Sequence, residues 1–122
     1  MRVLLGVGGS ADSFRALEET VARASEAGDD LTVVVVSNPE SEPTPETVER
    51  RVHEVVDGSD VDAPIRAVSG DPGSALVDIA EREEFDLVVL GGGETSPMGK
   101  ISVGPIAEFV LLNAHVSVKP VR

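Results

Sequence analysis

The sequence predicts an α/β domain in which a five-stranded parallel sheet is doubly wound by four helices into a three-layer α/β/α sandwich. Short apolar runs alternate along the chain with stripes of apolar residues at helical spacing, the βαβα pattern of such folds. The runs are apolar at nearly every position, as strands buried on both faces are. A length of 122 residues fits one continuous core, so residues 1–122 are expected to form one domain.

The first strand is Arg2-Val3-Leu4-Leu5-Gly6-Val7, followed by the turn Gly8-Gly9-Ser10. Phe14, Leu17, Val21 and Ala24 then fall at helical spacing behind the possible caps Ser10 and Asp12, giving a first helix that ends near Gly28. Residues 31–36 include four consecutive valines, whose β-branched side chains suit a pleated strand. Residues 37–45, rich in proline, serine and glutamate, read as a loop, and Val48, Val52, Val55 and Val56 stripe a second helix.

A third strand covers 64–68, and Gly70-Asp71-Pro72 supplies a turn, an N-cap and a proline at the first helical position. Leu76, Ile79 and Ala80 give the third helix its inner face. The fourth strand, 87–90, runs into Gly91-Gly92-Gly93. Ile106, Val110 and Leu111 mark a fourth helix beginning near Gly104, and 116–121 closes the chain as the fifth strand. Right-handed crossovers make this order a parallel sheet covered on both faces.

Composition narrows the function. Twenty-two acidic against ten basic residues give a formal charge of −12, a field that repels a phosphate backbone and argues against nucleic acid as a partner. The acids are spread along the chain, only two of the basic residues are lysines, and only three residues are aromatic, which suggests the hydrated surface of a halophile's protein. No apolar run approaches the roughly 18 residues of a membrane span. The start of the chain lacks the pattern of a signal peptide, and the absence of cysteine fits a reducing compartment, so a cytoplasmic location is expected.

In open sheets of this kind a ligand sits beyond the carboxyl ends of the strands, where the winding reverses. Glycine concentrates after the first strand, at Gly6, Gly8 and Gly9, and after the fourth, at Gly91, Gly92, Gly93, Gly99 and Gly104. If these loops are neighbours the strand order is 3-2-1-4-5, and the crevice lies between them. They are either ligand-cradling loops or simple turns.

Three segments resemble the universal stress protein family, and the resemblance covers nearly the whole chain. Val3 to Ser10, followed by Ala16-Leu17-Glu18, is similar to the family's first strand, Asp-Gly-Ser turn and first helix. Gly70-Asp71-Pro72 resembles the entry to its third helix, and Asp86 to Gly91 resembles the strand before its nucleotide signature. That signature reads Gly, two residues, Gly, nine residues, Gly, then Ser or Thr. Counted from Gly91, its later positions are Glu94, Gly104 and Pro105, so two of four differ.

The resemblance implies an adenine-nucleotide site at Gly6, Val7, Gly8, Val36, Gly91, Glu94, Gly104 and Pro105. Gly8 stands where the family has an aspartate for the adenosine part of the ligand, and Gly6, Val7 and Val36 stand at the adenosine pocket wall or serve as ordinary core. Glu94 sets a carboxylate where a glycine would let amides close on phosphates. Pro105 brings neither amide hydrogen nor hydroxyl to the start of the fourth helix. Lys100 is the one nearby cation. The implied protein is a non-enzymatic stress-response or regulatory protein that requires no cofactor and binds ATP or AMP weakly or not at all.

Two alternatives stand beside it. One is a nucleotide-free interaction module. The other is a small dinucleotide-binding protein, since Gly6-Val7-Gly8-Gly9-Ser10-Ala11 fits a G-x-G-x-x-A fingerprint, although the second strand ends Val36-Ser37-Asn38 without a ribose-binding acid. No catalytic constellation and no metal spacing is evident: His53 and His115 read as solvent-facing or structural, and Asp29-Asp30 and Glu83-Glu84 as acids meeting water at helix ends. The resemblance further implies a homodimer through strand 116–121, which Pro120 and Lys119 complicate because both are devices against edge pairing.

Overall fold

The computed structural model describes residues 1–8, 11–36, 45–68, 71–91, 94–95, 101–102 and 105–121, with side chains described except at 11, 45, 94–95, 101–102 and 105–107. Its elements run β1 (Arg2–Val7), α1 (Ala11–Ala27), β2 (Asp30–Val36), α2 (Pro45–Asp57), β3 (Ile65–Val68), α3 (Pro72–Arg82), β4 (Leu87–Gly91), β5 (Glu94–Thr95), β6 (Ile101–Ser102), α4 (Pro105–Asn113) and β7 (Ser117–Val121). The main sheet has the order β3-β2-β1-β4-β7, all parallel. Leaving out the two-residue strands β5 and β6, this is the expected 3-2-1-4-5.

The alternation of side chains across the strands builds two cores. Val3, Leu5, Val7, Val33, Val35 and Val89 face α1 and α2, meeting Leu17, Val21, Val48 and Val52. Leu4, Val34, Val36, Val88 and Leu90 face the other way, against Leu76 and Ile79 of α3 and Val110 of α4. Both faces of β1 and β2 are therefore dry, which is why their sequences show no period of two.

Local chemistry sets several boundaries. Asp71 caps α3, its carboxylate accepting from the Ser74 amide at 3.1 Å, with Pro72 at the start of the helix. Gly28, at φ +72°, ends α1 in the left-handed region that glycine enters without cost. Asp12 lies within the first turn of α1 and is not its cap; its carboxylate is 3.6 Å from Arg15. Pro45 opens α2 and does not close the preceding loop, a position that suits proline because the first helical amides have no partner inside the helix. Pro64 lies just outside β3 but gives its carbonyl to the Val33 amide at 2.9 Å. The Ser10 cap, the loop at 37–44 and Gly70 lie outside the described residues.

The short antiparallel pair β5–β6 was not expected, because two residues per strand leave no periodic signal. At the opposite end of the sheet, the amino ends of the strands are tied together. Asp29, whose side chain is only 7% exposed, meets the Met1 amine at 3.7 Å and Arg23 at 3.4 Å, so it is held by cations and does not face water. The Arg2 amide donates to Asp86 at 2.8 Å, the Arg2 guanidinium lies 4.6 Å from the Phe85 ring centre, and Arg66 pairs with Glu83 at 2.6 Å.

The edge strand β7 has a definite polarity. Val33, whose side chain faces α1, sends its amide toward β3. The same stereochemistry directs the Val121 and Lys119 amides to β4 and turns those of the intervening residues outward. Pro120, in step with Val118, therefore costs the β4–β7 ladder nothing and removes one donor from the free edge.

Candidate functional site

The winding reverses between β1 and β4, whose carboxyl ends lie side by side with Gly6 paired to Leu90. The first turn of α1 sits directly on this junction. A β-carbon on Gly91 would lie 2.3 Å from the Ser13 nitrogen, 2.5 Å from its α-carbon and 2.6 Å from the Asp12 carbonyl carbon. No residue with a side chain fits there without moving backbone.

Ser13 completes the junction. It is buried, and its hydroxyl oxygen accepts from the Gly8 amide at 3.2 Å. One side chain thus joins the turn after β1 to a helix that is itself pressed on the end of β4. Sequence reasoning passed over Ser13; its signal was a small polar residue just ahead of the apolar stripe that Phe14 and Leu17 begin.

The expected site residues separate into three groups. Gly6 and Val7 belong to the core: a β-carbon at Gly6 would stand 2.7 Å from Leu90 and 3.0 Å from Leu76, and Val7 is fully buried on the α1 side. Gly8, Val36 and Gly91 stand together at the crevice. The side of Gly8 that lacks a side chain looks toward Val36 and Ser13: a β-carbon there would stand 3.3 Å from a Val36 methyl and 3.9 Å from the Ser13 hydroxyl.

Glu94 and Pro105 form the third group. Glu94 pairs in register with Ser102, so the β5–β6 hairpin folds the chain back and sets position 94 opposite a residue three places before Pro105, where α4 begins. Gly104, Lys100 and the remaining glycines of this stretch lie outside the described residues.

The histidines are elsewhere. His53 is 3.8 Å from Glu49 on the outer side of α2, and His115 is 3.3 Å from Glu81. A hollow of about 410 Å³ lined by His53, Asp57, Asp60 and Asp62 adjoins the amino end of β3, away from the crevice. Among the described residues no three His, Cys, Asp or Glu side chains group to hold a metal ion, and no helix is long and apolar enough to cross a membrane.

Comparison with known proteins bears on the family and the fold. Residues 40–122, about two thirds of the chain, match the model of the universal stress protein family. A universal stress protein of Methanocaldococcus jannaschii is 34% identical over 55 residues, which span 45% of this chain and only 32% of that protein. Among solved structures, a universal stress protein from Archaeoglobus fulgidus superposes with a TM-score of 0.77 at 21% identity, covering 100% of this chain and 98% of its own. A universal stress protein in complex with cAMP also gives 0.77, at 24% identity over 100% of this chain and 96% of its own.

Proposed function

The chain belongs to the universal stress protein family, and we propose that it is a non-enzymatic regulatory protein of the stress response that holds an adenine nucleotide weakly or not at all. The β1–β4 crevice is the site in question. A related fold carries cAMP in one solved structure, which supports the class of ligand.

The observation that carries the weak binding is the state of Gly8. It offers no side chain to an adenosine, and its amide is already given to Ser13. Glu94 and Pro105 add to this at the phosphate end, one by like charge and the other by the loss of an amide donor and a hydroxyl. The net charge of −12 works in the same direction. The dense acids and the absence of cysteine support a cytoplasmic, salt-rich setting.

Calorimetry with ATP, AMP and NAD at high salt, with mass spectrometry of any ligand released from the purified protein, tests the reading. ATP is expected to bind more weakly than micromolar, and the double change Glu94→Gly with Pro105→Ser to tighten it by roughly tenfold or more. Micromolar ATP binding by the unaltered chain overturns it. A strong preference for NAD favours the dinucleotide alternative.

A second reading, an interaction module without nucleotide, is favoured by the apolar outer side of α4, where Leu112 is 76% exposed. A homodimer beside the free edge of β7 is part of both readings.

A further inference from the structure

The geometry points to a second small-molecule site, apart from the β1–β4 crevice: a hollow beneath α1 that takes a small zwitterion with an aliphatic body, of the amino acid class. Its residues differ from those of the crevice, and it stands whether or not a nucleotide binds there.

The hollow has a volume of about 110 Å³ and lies where α1 crosses β1 and β4 and meets β7. Val3, Leu87, Val89 and Val121 give it an aliphatic floor. Lys119 and Val121 reach it because alternate residues of β7 face α1, while Val118 faces the other core. Glu19 and Thr20 form the wall on α1. Thr20 is two turns beyond Ser13, about 10 Å along the helix, and none of Gly8, Val36 and Gly91 lines the space, which separates it from the crevice.

Thr20 is the sign that a polar group enters. It is only 8% exposed, and among the described residues its hydroxyl has no hydrogen-bond partner. No side-chain polar atom sealed from solvent lacks a partner among those residues, so the Thr20 hydroxyl opens into the hollow. Buried polar groups of native proteins are completed by solvent or a ligand where the chain does not complete them.

Charge names the class. The charged residues that line the hollow, Glu19, Asp29, Arg23 and Lys119, sum to zero in a chain of −12. Asp29 is held by the Met1 amine and Arg23. Glu19 on α1 and Lys119 on β7 are exposed at the rim and, among the described residues, pair neither with each other nor with another group. One free anion and one free cation suit a ligand that carries an ammonium and a carboxylate, and its zero net charge spares it the repulsion that the chain imposes on anions. The carboxylate falls to Lys119 and the Thr20 hydroxyl, the ammonium to Glu19, and the aliphatic body to the floor. An apolar cavity of about 150 Å³ holds benzene, so one of about 110 Å³ suits a side chain of about four carbons with its charged head at the rim.

Titration of the nitrogen-labelled full chain with L-valine, followed by its amide resonances, tests this. Saturable shifts are expected at Thr20, Val89 and Lys119, with none at Gly8. Isovalerate and isobutylamine, which keep the aliphatic body and one charge each, are expected to bind at least about tenfold more weakly. Thr20→Val, which keeps the shape without the hydroxyl, and Lys119→Gln are each expected to weaken L-valine by about fivefold without lowering the unfolding midpoint. AMP is expected not to displace L-valine. Isovalerate bound as tightly as L-valine overturns the zwitterion, and displacement by AMP overturns the separation from the crevice. No saturable shift up to roughly 10 mM L-valine, or variants that bind it as the unaltered chain does, overturns the site.

Discussion

Gly91 and Ser13 meet backbone against backbone, and a β-carbon on the glycine would stand 2.3 Å from the serine nitrogen. Gly91 also stands where the resemblance puts the first glycine of the family's nucleotide signature. The contact gives it a duty that is independent of any ligand, because the helix after β1 needs this space in order to pack on β4. Its presence is thus explained by the fold and is no evidence for phosphate binding.

Gly91→Ala is expected to destabilise the chain by about 3 kcal/mol or more, since the obstructing atoms are main chain and cannot swing aside. Denaturant titration measures it. A loss below about 1 kcal/mol would show that α1 and β4 are not in this contact.

Ser13→Ala removes the acceptor of the Gly8 amide in a buried setting, with an expected cost of about 1 to 2 kcal/mol. Faster hydrogen exchange at the Gly8 amide, against unchanged exchange in β2, locates the effect.

Gly8→Asp puts back the aspartate that the resemblance places at this position. Among the described residues the new β-carbon meets the Val36 methyl at 3.3 Å and the Ser13 hydroxyl at 3.9 Å, both side-chain atoms, and Gly8 does not have a positive φ, so stability is expected to change by less than about 1 kcal/mol. AMP affinity is expected to rise by roughly tenfold in calorimetry. Unchanged affinity would separate this position from the adenosine end of the site.

Asp71→Ala deletes the cap of α3 and is expected to cost about 1 kcal/mol, visible in the thermal midpoint. Asp71→Ser, which keeps an acceptor for the Ser74 amide, is expected to recover most of it.

With 22 acids and 10 bases, mutual repulsion is screened as salt rises. The unfolding midpoint is expected to increase from low to molar KCl, and a flat profile counts against a halophile's surface.

Most of the fold was legible in the chain because its determinants are local or periodic. The valines at 33–36 announce a doubly buried strand, and Asp71-Pro72 announces a helix start through its own hydrogen bonding. What escaped is non-local. Ser13 matters through Gly8 and Gly91, and Gly91 lies far along the chain. Asp29 reads as a solvated acid until the Met1 amine and Arg23 are brought to it. β5 and β6 are too short to print a pattern. Of the site, the crevice between β1 and β4 was legible from glycine placement, whereas the division of Gly6 and Val7 from Gly8 and Val36 depends on which neighbours fill each side.

The ties among Met1, Arg2, Asp29, Glu83, Phe85 and Asp86 all lie at the amino ends of the strands, the far side of the sheet from the crevice. These ties and the β1–β4 crevice thus occupy opposite poles, so substitutions in the carboxyl-end loops leave the anchoring pole as it was.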